Sequence, residues 1–398
     1  MTCWYASSPA WASRPSGWAC PGGARTGTGT ALTAVRAVPD GAYPDGATVA
    51  DTPEGVSAKM LRRHLIALGG AAMVGAPVAK LGELFAELPG PAPVPLPSRL
   101  SHIQVAQVRD LTRRLSAGDT SCADPEVSSV AAAWVTRLLE VPGSDPVRRA
   151  LLVAVAELHI AAGWSAFDAG LYPRALYHYA RTLELATEAG DAYLQASALG
   201  YAGLASVEHG HPDDGLKMLQ CAQVKAWDIP LDDQRAVVIG ASGSAAAEAC
   251  ALADSAIALA RLGDVPAAVN HLAKGRGLWT PTQADPFGDM DRPAARLELA
   301  RGRLDAAEAL IAASMRRWPD GKQISRAQTG IVRATIHVKA GERSGLQLAH
   351  RTITAVSQLS SVRVRRQLAP LAAALAARPG FDAAELARMA QQVATTRV

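Results

Sequence analysis

The sequence predicts an all-α chain in which antiparallel helix pairs stack into a superhelix. Three observations predict it. From Leu100 onward, apolar residues recur at three- and four-residue spacing, broken by Gly, Pro or Asp. Alanine dominates from about residue 130 while aromatic residues make up only 5% of the chain, which favours close-packed helices over β structure. A Gly-led turn then returns at intervals of 40, 53, 39 and 39 residues. Periods in that range belong to helix pairs too small to bury their own apolar faces.

Taken in chain order, residues 1–59 read as a disordered tail rich in Gly, Ala, Ser, Thr and Pro. Trp4, Trp11 and Trp18 keep a seven-residue spacing, but Pro9 and Pro15 interrupt any helix that would align them. Met60 is an alternative start. Residues 60–97 read as an apolar segment and a Pro-rich linker. Arg62-Arg63 followed by the apolar run Leu65–Ala79 has the form of a twin-arginine export signal beginning at Met60. That run is too short and Gly-rich to span a bilayer, and it exits through Ala76-Pro77-Val78-Ala79-Lys80 without a small-x-small cleavage site. An apolar hinge helix is the preferred reading. Leu88–Pro97 alternates Pro with small or apolar residues, the composition of an extended polyproline linker.

Residues 98–398 form the repeat domain. Ile103, Val105, Val108, Leu111 and Leu115 mark its first helix, and Val130, Trp134, Leu138 and Leu139 the next. Turns follow at Gly170, Gly210, Gly263, Gly302 and Gly341. Gly ends a helix there because it adopts the left-handed conformation without a Cβ clash. Pro173, Pro212 and Pro266 open the second helix of a pair, where a missing N–H costs little. Small residues stand five positions after the turn glycine (Ala175, Gly215, Ala268, Ala307, with Leu346 departing) and seven before it (Gly163, Gly203, Ala256, Ala295, Ala334). Both positions should mark close helix–helix contact.

These features resemble tetratricopeptide repeats with lengthened loops, most closely over Gly163–Ala180. A narrower resemblance is carried by Ala156-Glu-Leu-His159 with Gly163-Trp164, Glu188-Ala-Gly-Asp191, Leu262-Gly-Asp264 and Ser361-Val-Arg-Val-Arg-Arg366. Over roughly residues 60–398 the chain resembles the C-terminal tetratricopeptide-repeat region of actinobacterial Xre-type transcriptional regulators. The resemblance implies a cytoplasmic bacterial protein that acts through protein–protein interaction or peptide binding in transcriptional regulation. One departure matters. Those regulators carry a helix-turn-helix domain ahead of the Arg-Arg segment, and the Gly/Pro/Trp-rich tail stands in its place here. Direct DNA binding is therefore not carried over. A net charge of +4 on 398 residues adds no electrostatic footprint for nucleic acid.

No catalytic constellation emerges, and the chain is expected not to be an enzyme and to need no cofactor. Five Cys residues make no CxxC. Gly22–Gly29 lacks a preceding strand and a Walker lysine, and Pro319-Asp-Gly-Lys322 lacks the flanking Gly and Ser/Thr of a phosphate loop. Ser242-Gly-Ser244 is not a nucleophile elbow, and Cys221 and Cys250 sit among Ala and Leu as small core residues. His209-Gly-His211, between Glu208 and Asp213-Asp214, is the densest group of potential ligands, yet it lies on a turn and lacks remote partners. No metal site is expected.

In stacked helix pairs the first helix of each pair lines the inner face. Counting back from the turn glycines places Glu157, Ile160, Trp164 and Phe167 there in the first repeat, and Ser197, Gly200, Tyr201 and Leu204 in the second. The fourth offers Asp289, Arg292 and Arg296, and the fifth Gln328, Ile331 and Thr335. The ligand or partner groove is thus expected at Glu157, Trp164, Phe167, Tyr201, Arg292, Arg296, Gln328 and Thr335. Arg292 and Arg296, one turn apart, suit a carboxylate such as a peptide C-terminus. Arg363, Arg365 and Arg366 are expected on a solvated helix face. The expected role is a sensor or adaptor for a partner protein, peptide or small signal, with no stable membrane insertion and with a homodimer as one form. The alternatives are a scaffold for a biosynthetic multiprotein assembly and an exported binding protein.

Overall fold

The computed structural model describes residues 59, 61–66, 96–116, 124–229, 243–279, 289–318 and 321–396. The chain divides into two units, residues 1–38 and 39–398, and every described residue belongs to the second. Except for residue 59, the expected tail over 1–59 lies outside the described residues, and of the apolar segment and linker expected over 60–97 only 61–66 and 96–97 are described.

Residues 61–66 are helical, fifteen α-helices follow from His102 onward, and no strand lies among the described residues. Two lead in, His102–Ser116 (α1) and Pro125–Thr136 (α2). Five hairpins follow: Asp145–Asp168 (α3) with Tyr172–Ala189 (α4), Ala192–Glu208 (α5) with Pro212–Ala226 (α6), and Gly243–Arg261 (α7) with Val265–Leu278 (α8). Asp291–Ala300 (α9) pairs with Leu304–Arg317 (α10), and Gln323–Lys339 (α11) with Arg343–Ser357 (α12). Val362–Arg366 (α13), Ala369–Ala376 (α14) and Phe381–Thr395 (α15) close the chain. The all-α stack of helix pairs expected from the period is present.

The turns work as their glycines require. All five adopt positive φ, from 75° at Gly302 to 84° at Gly263. Each is followed by an amide that reaches back five residues to a carbonyl of the ending helix, from Leu171 N–H to Ala166 O (2.8 Å) to Glu342 N–H to His337 O (3.2 Å). This is the bonding of a Schellman cap, which satisfies carbonyls that a helix end leaves open.

The small residues seven before and five after each turn are where paired helices cross. A Cβ on Gly203 would lie 2.6 Å from Leu219 Cγ, and one on Gly215 would lie 2.8 Å from Gly203 O. Ala175, Ala268, Ala295, Ala307 and Ala334 are fully buried. In the fifth pair the contact falls one residue earlier than the sequence count. Gly345, whose Cβ would stand 2.8 Å from His337 O, takes the role that Leu346 does not.

The central wall is α3, the one described helix long and apolar enough to cross a bilayer. Its apolar surface is buried against α1, α2, α4 and α5. Leu61 and Leu65 belong to the adjoining core, packed with Phe167, Leu176 and Tyr179, while Arg62 Nε pairs with Asp214 Oδ2 at 3.0 Å.

Candidate functional site

The first helices of the hairpins touch in sequence, α3 with α5, α5 with α7, α7 with α9 and α9 with α11. The short helix α13 then touches both α11 and α3, so the circuit of inner-helix contacts closes on itself. A chain of polar side chains follows this circuit.

It begins at the C-terminal end of α3. Asp168 is 1% exposed and accepts a 2.5 Å hydrogen bond from Arg363 Nε of α13, with Ser361 Oγ at 3.5 Å. The Arg363 guanidinium lies 5.1 Å from the ring centres of both Trp164 and Phe167, and 3.8 Å from Glu208 at the end of α5. Two carboxylates and two aromatic faces thus hold one buried cation, which burial makes necessary. Arg363 therefore departs from the solvated face expected of it. It sets the chain's own cation against Trp164 and Phe167.

From Glu208 the chain runs onward. Gln367 Nε2 donates to Glu208 Oε1 (3.3 Å), Gln328 Nε2 of α11 donates to Gln367 Oε1 (3.2 Å), and Arg292 Nη1 of α9 donates to Gln328 Oε1 (2.9 Å). Asp289 is buried beside it for a local reason: it accepts the first-turn amides of Asp291 and Arg292 and bonds the Ser314 hydroxyl and Trp318 Nε1.

Two members of the inner wall stay unpaired. Arg296, one turn after Arg292, and Asp254 on α7 are half-buried, and neither makes a hydrogen bond or ion pair among the described residues. Burial, reinforced by Glu208, pushes the Asp254 carboxyl up to about 7, against the opposing pull of Arg296 and Arg292. At Arg292 burial lowers proton affinity, Asp289 opposes it, and Arg296 and Arg363 add to it. Glu208 also opposes it, and a guanidinium holds its charge regardless, so Arg292 and Arg296 stand charged opposite a carboxyl whose protonated form burial favours.

No protein-family model and no curated protein matches the chain.

The structure brings Trp164, Phe167, Tyr201, Arg292, Arg296 and Gln328 onto this inner wall. Trp164 meets Tyr201 edge-on at 5.3 Å and Phe167 at 5.8 Å. Burial pushes the Tyr201 hydroxyl well above its usual range, with Tyr193, Cys250, Tyr179 and Asp254 adding to it. Glu157 stands apart, 4.0 Å from Arg109 of α1. Thr335 is buried with its hydroxyl on Ile331 O of its own helix. The sequence reading missed Asp168, Glu208, Asp254, Arg363 and Gln367. Asp168 and Glu208 both stand two residues before a turn glycine, and Asp254 shares with Tyr201 the position nine before it. That shared offset was the available signal.

A second polar cluster lies between α2, α3 and α4. His159 Nδ1 and His178 Nδ1 are 3.0 Å apart, with Thr136 Oγ1 at 3.0 Å from His159 Nε2 and Ser129 Oγ at 3.1 Å from His178 Nε2. Thr136 gives its hydroxyl proton to Ala132 O (2.7 Å), so it must accept from His159 Nε2–H. His159 Nδ1 is then an acceptor, His178 Nδ1–H donates to it, and Ser129 donates to His178 Nε2. Every ring nitrogen is satisfied with both imidazoles neutral. Burial holds His159 well below the usual histidine range and His178 at about 3. On the nearby turn, His209 stacks on Tyr172 at 4.1 Å. Among the described residues no three His, Cys, Asp or Glu side chains converge as metal ligands.

Proposed function

We propose that the chain is a non-enzymatic sensor or adaptor in transcriptional regulation, a tetratricopeptide-type repeat that binds a partner protein, peptide or small signal on its inner helices. The observation that carries this reading is the inner-wall polar chain, with Arg296 and Asp254 left unpaired at its middle. A stable core does not gain from half-buried unpaired charge, whereas a binding wall uses it. The chain also offers an output. An anion that takes Arg292 takes it from Gln328, which shares Gln367 with Glu208 and so touches the Arg363 clasp. Ligand binding would then bias the contact between α13 and α3.

The test is affinity capture by the full chain from native lysate, in parallel with an Arg292→Gln/Arg296→Gln variant, reading proteins and small molecules by mass spectrometry. A DNA-binding regulator, peptide or small molecule held by the parent chain and lost by the variant is the expected result. Biosynthetic enzymes recovered equally by both would replace this reading with a scaffold.

A further inference from the structure

We propose that the inner wall holds one small zwitterion, its carboxylate on Arg296 and Arg292 and its ammonium on Asp254 and Glu208, and that this signal is a free α-amino acid with an apolar side chain. The inference rests on the sensor reading above and specifies its ligand. Three features lead to it.

First, neither arginine closes an ion pair among the described residues, although Asp289 and Glu208 act electrostatically on Arg292. Arg292 spends one N–H on Gln328, and Arg296 donates to nothing among the described residues. Two guanidinium groups one turn apart repel, and a carboxylate between them relieves that repulsion with bidentate geometry. Second, the complementary charge sits on the neighbouring inner helices without closing on the arginines. Asp254 on α7 lies between α5, which carries Glu208, and α9, which carries both arginines. All three of those residues act electrostatically on Asp254, yet no ion pair forms to it. A molecule that bridges the arginines and these carboxylates carries both signs of charge. A dicarboxylate would meet the arginines and be repelled by Asp254 and Glu208; a polyamine would do the reverse. An α-amino acid places ammonium and carboxylate on one carbon. Third, the apolar wall is adjacent: Cys250 lies one turn before Asp254, and Tyr201 acts electrostatically with both while packing under Trp164.

The experiment is thermal-shift screening of the full chain with each proteinogenic L-amino acid at millimolar concentration, followed by calorimetric titration of those that act. One or more apolar amino acids should raise Tm by several degrees, because a ligand that binds only the folded state stabilises it. The N-acetyl and carboxamide derivatives should each lose the shift. Arg296→Gln should abolish it. Asp254→Asn should weaken the free amino acid by about tenfold or more while leaving N-acetyl derivatives as weak as before. Far-UV circular dichroism and unliganded Tm, with Arg296→Lys as a charge-keeping companion, establish that the variants fold. The proposal is overturned if no amino acid shifts Tm, if the N-acetyl form binds equally, or if Arg296→Gln responds like the parent. Should capture of a regulator still depend on Arg292 and Arg296 when no amino acid binds, the zwitterion fails and the sensor stands. Should an amino acid bind while nothing regulatory is captured, the ligand site stands and the sensor fails.

Discussion

Arg363 and Asp168, 195 residues apart in sequence, form a buried pair that joins α13 to α3. Coulombic gain in such a pair is spent largely on desolvation, but removing one partner strands the other charge. Asp168→Ala should therefore cost about 3–5 kcal/mol in urea denaturation. Arg363→Met, which keeps contact with Trp164 and Phe167 and removes the charge, should cost less. In the double variant the loss should fall well short of the sum. Additive losses would mean that the two residues stabilise the fold independently.

One glycine of α6 and one of α5 should respond with opposite signs. A Cβ at Gly215 would meet Val207 Cγ2 at 2.5 Å and Gly203 O at 2.8 Å, and the latter is backbone that cannot turn aside. Gly215→Ala should cost about 1–3 kcal/mol through overpacking. Gly200 has nothing within 4 Å of the same atom. Gly200→Ala should gain up to about 1 kcal/mol from helix propensity. A thermal melt of the two variants decides, and equal shifts would remove Gly215 from the helix crossing.

What was legible in the sequence was what recurs. Gly170, Gly210, Gly263, Gly302 and Gly341 announce themselves because one backbone conformation demands one residue type at each repeat. The inner positions followed from the same count, which placed Trp164, Tyr201, Arg292 and Gln328 on one wall. Arg363 was hidden because its partners come from the other end of the repeat, and no local pattern distinguishes a cation bound for burial from a solvated one. Asp254 was missed in the long 53-residue interval, where the helix phase is hardest to carry across. His159 and His178 pair at a separation of 19 residues across two helices, and that pairing is a property of packing alone.

Leu65 tests whether the segment ahead of the repeats belongs to the fold. It is 0% exposed, and Leu61 beside it is 2%. Leu65→Ala should cost about 2–5 kcal/mol, the range for emptying a buried leucine site. A chain beginning at residue 98 should melt at lower temperature, since it uncovers Phe167, Leu176 and Tyr179. An unchanged Tm in either case would show that residues 61–66 add nothing to stability.

Acid should act on this protein through two opposed sets of groups. His178, at about 3 when folded against 6.5 as its ordinary value, is protonated only in the unfolded chain between those limits. His159 is lowered in the same direction, and His209 to about 4. Protons bound by the unfolded state draw the equilibrium toward it, so these groups destabilise the fold as pH falls through 6.5. Asp254 has the other sign. At about 7 when folded against 3.8 ordinarily, it is protonated in the native state alone between those values, and it stabilises as pH falls through 7. Asp254→Asn should accordingly be more stable than the parent at pH 8, with the gap narrowing by pH 5. Replacing His178 with Gln should flatten the acid limb by up to about 1.4 kcal/mol per pH unit, the weight of one proton. Denaturant titrations of both variants from pH 4 to pH 8 separate the two contributions. Parallel pH profiles for the parent and both variants would mean that neither the imidazole pair nor the interior carboxyl exchanges a proton on folding.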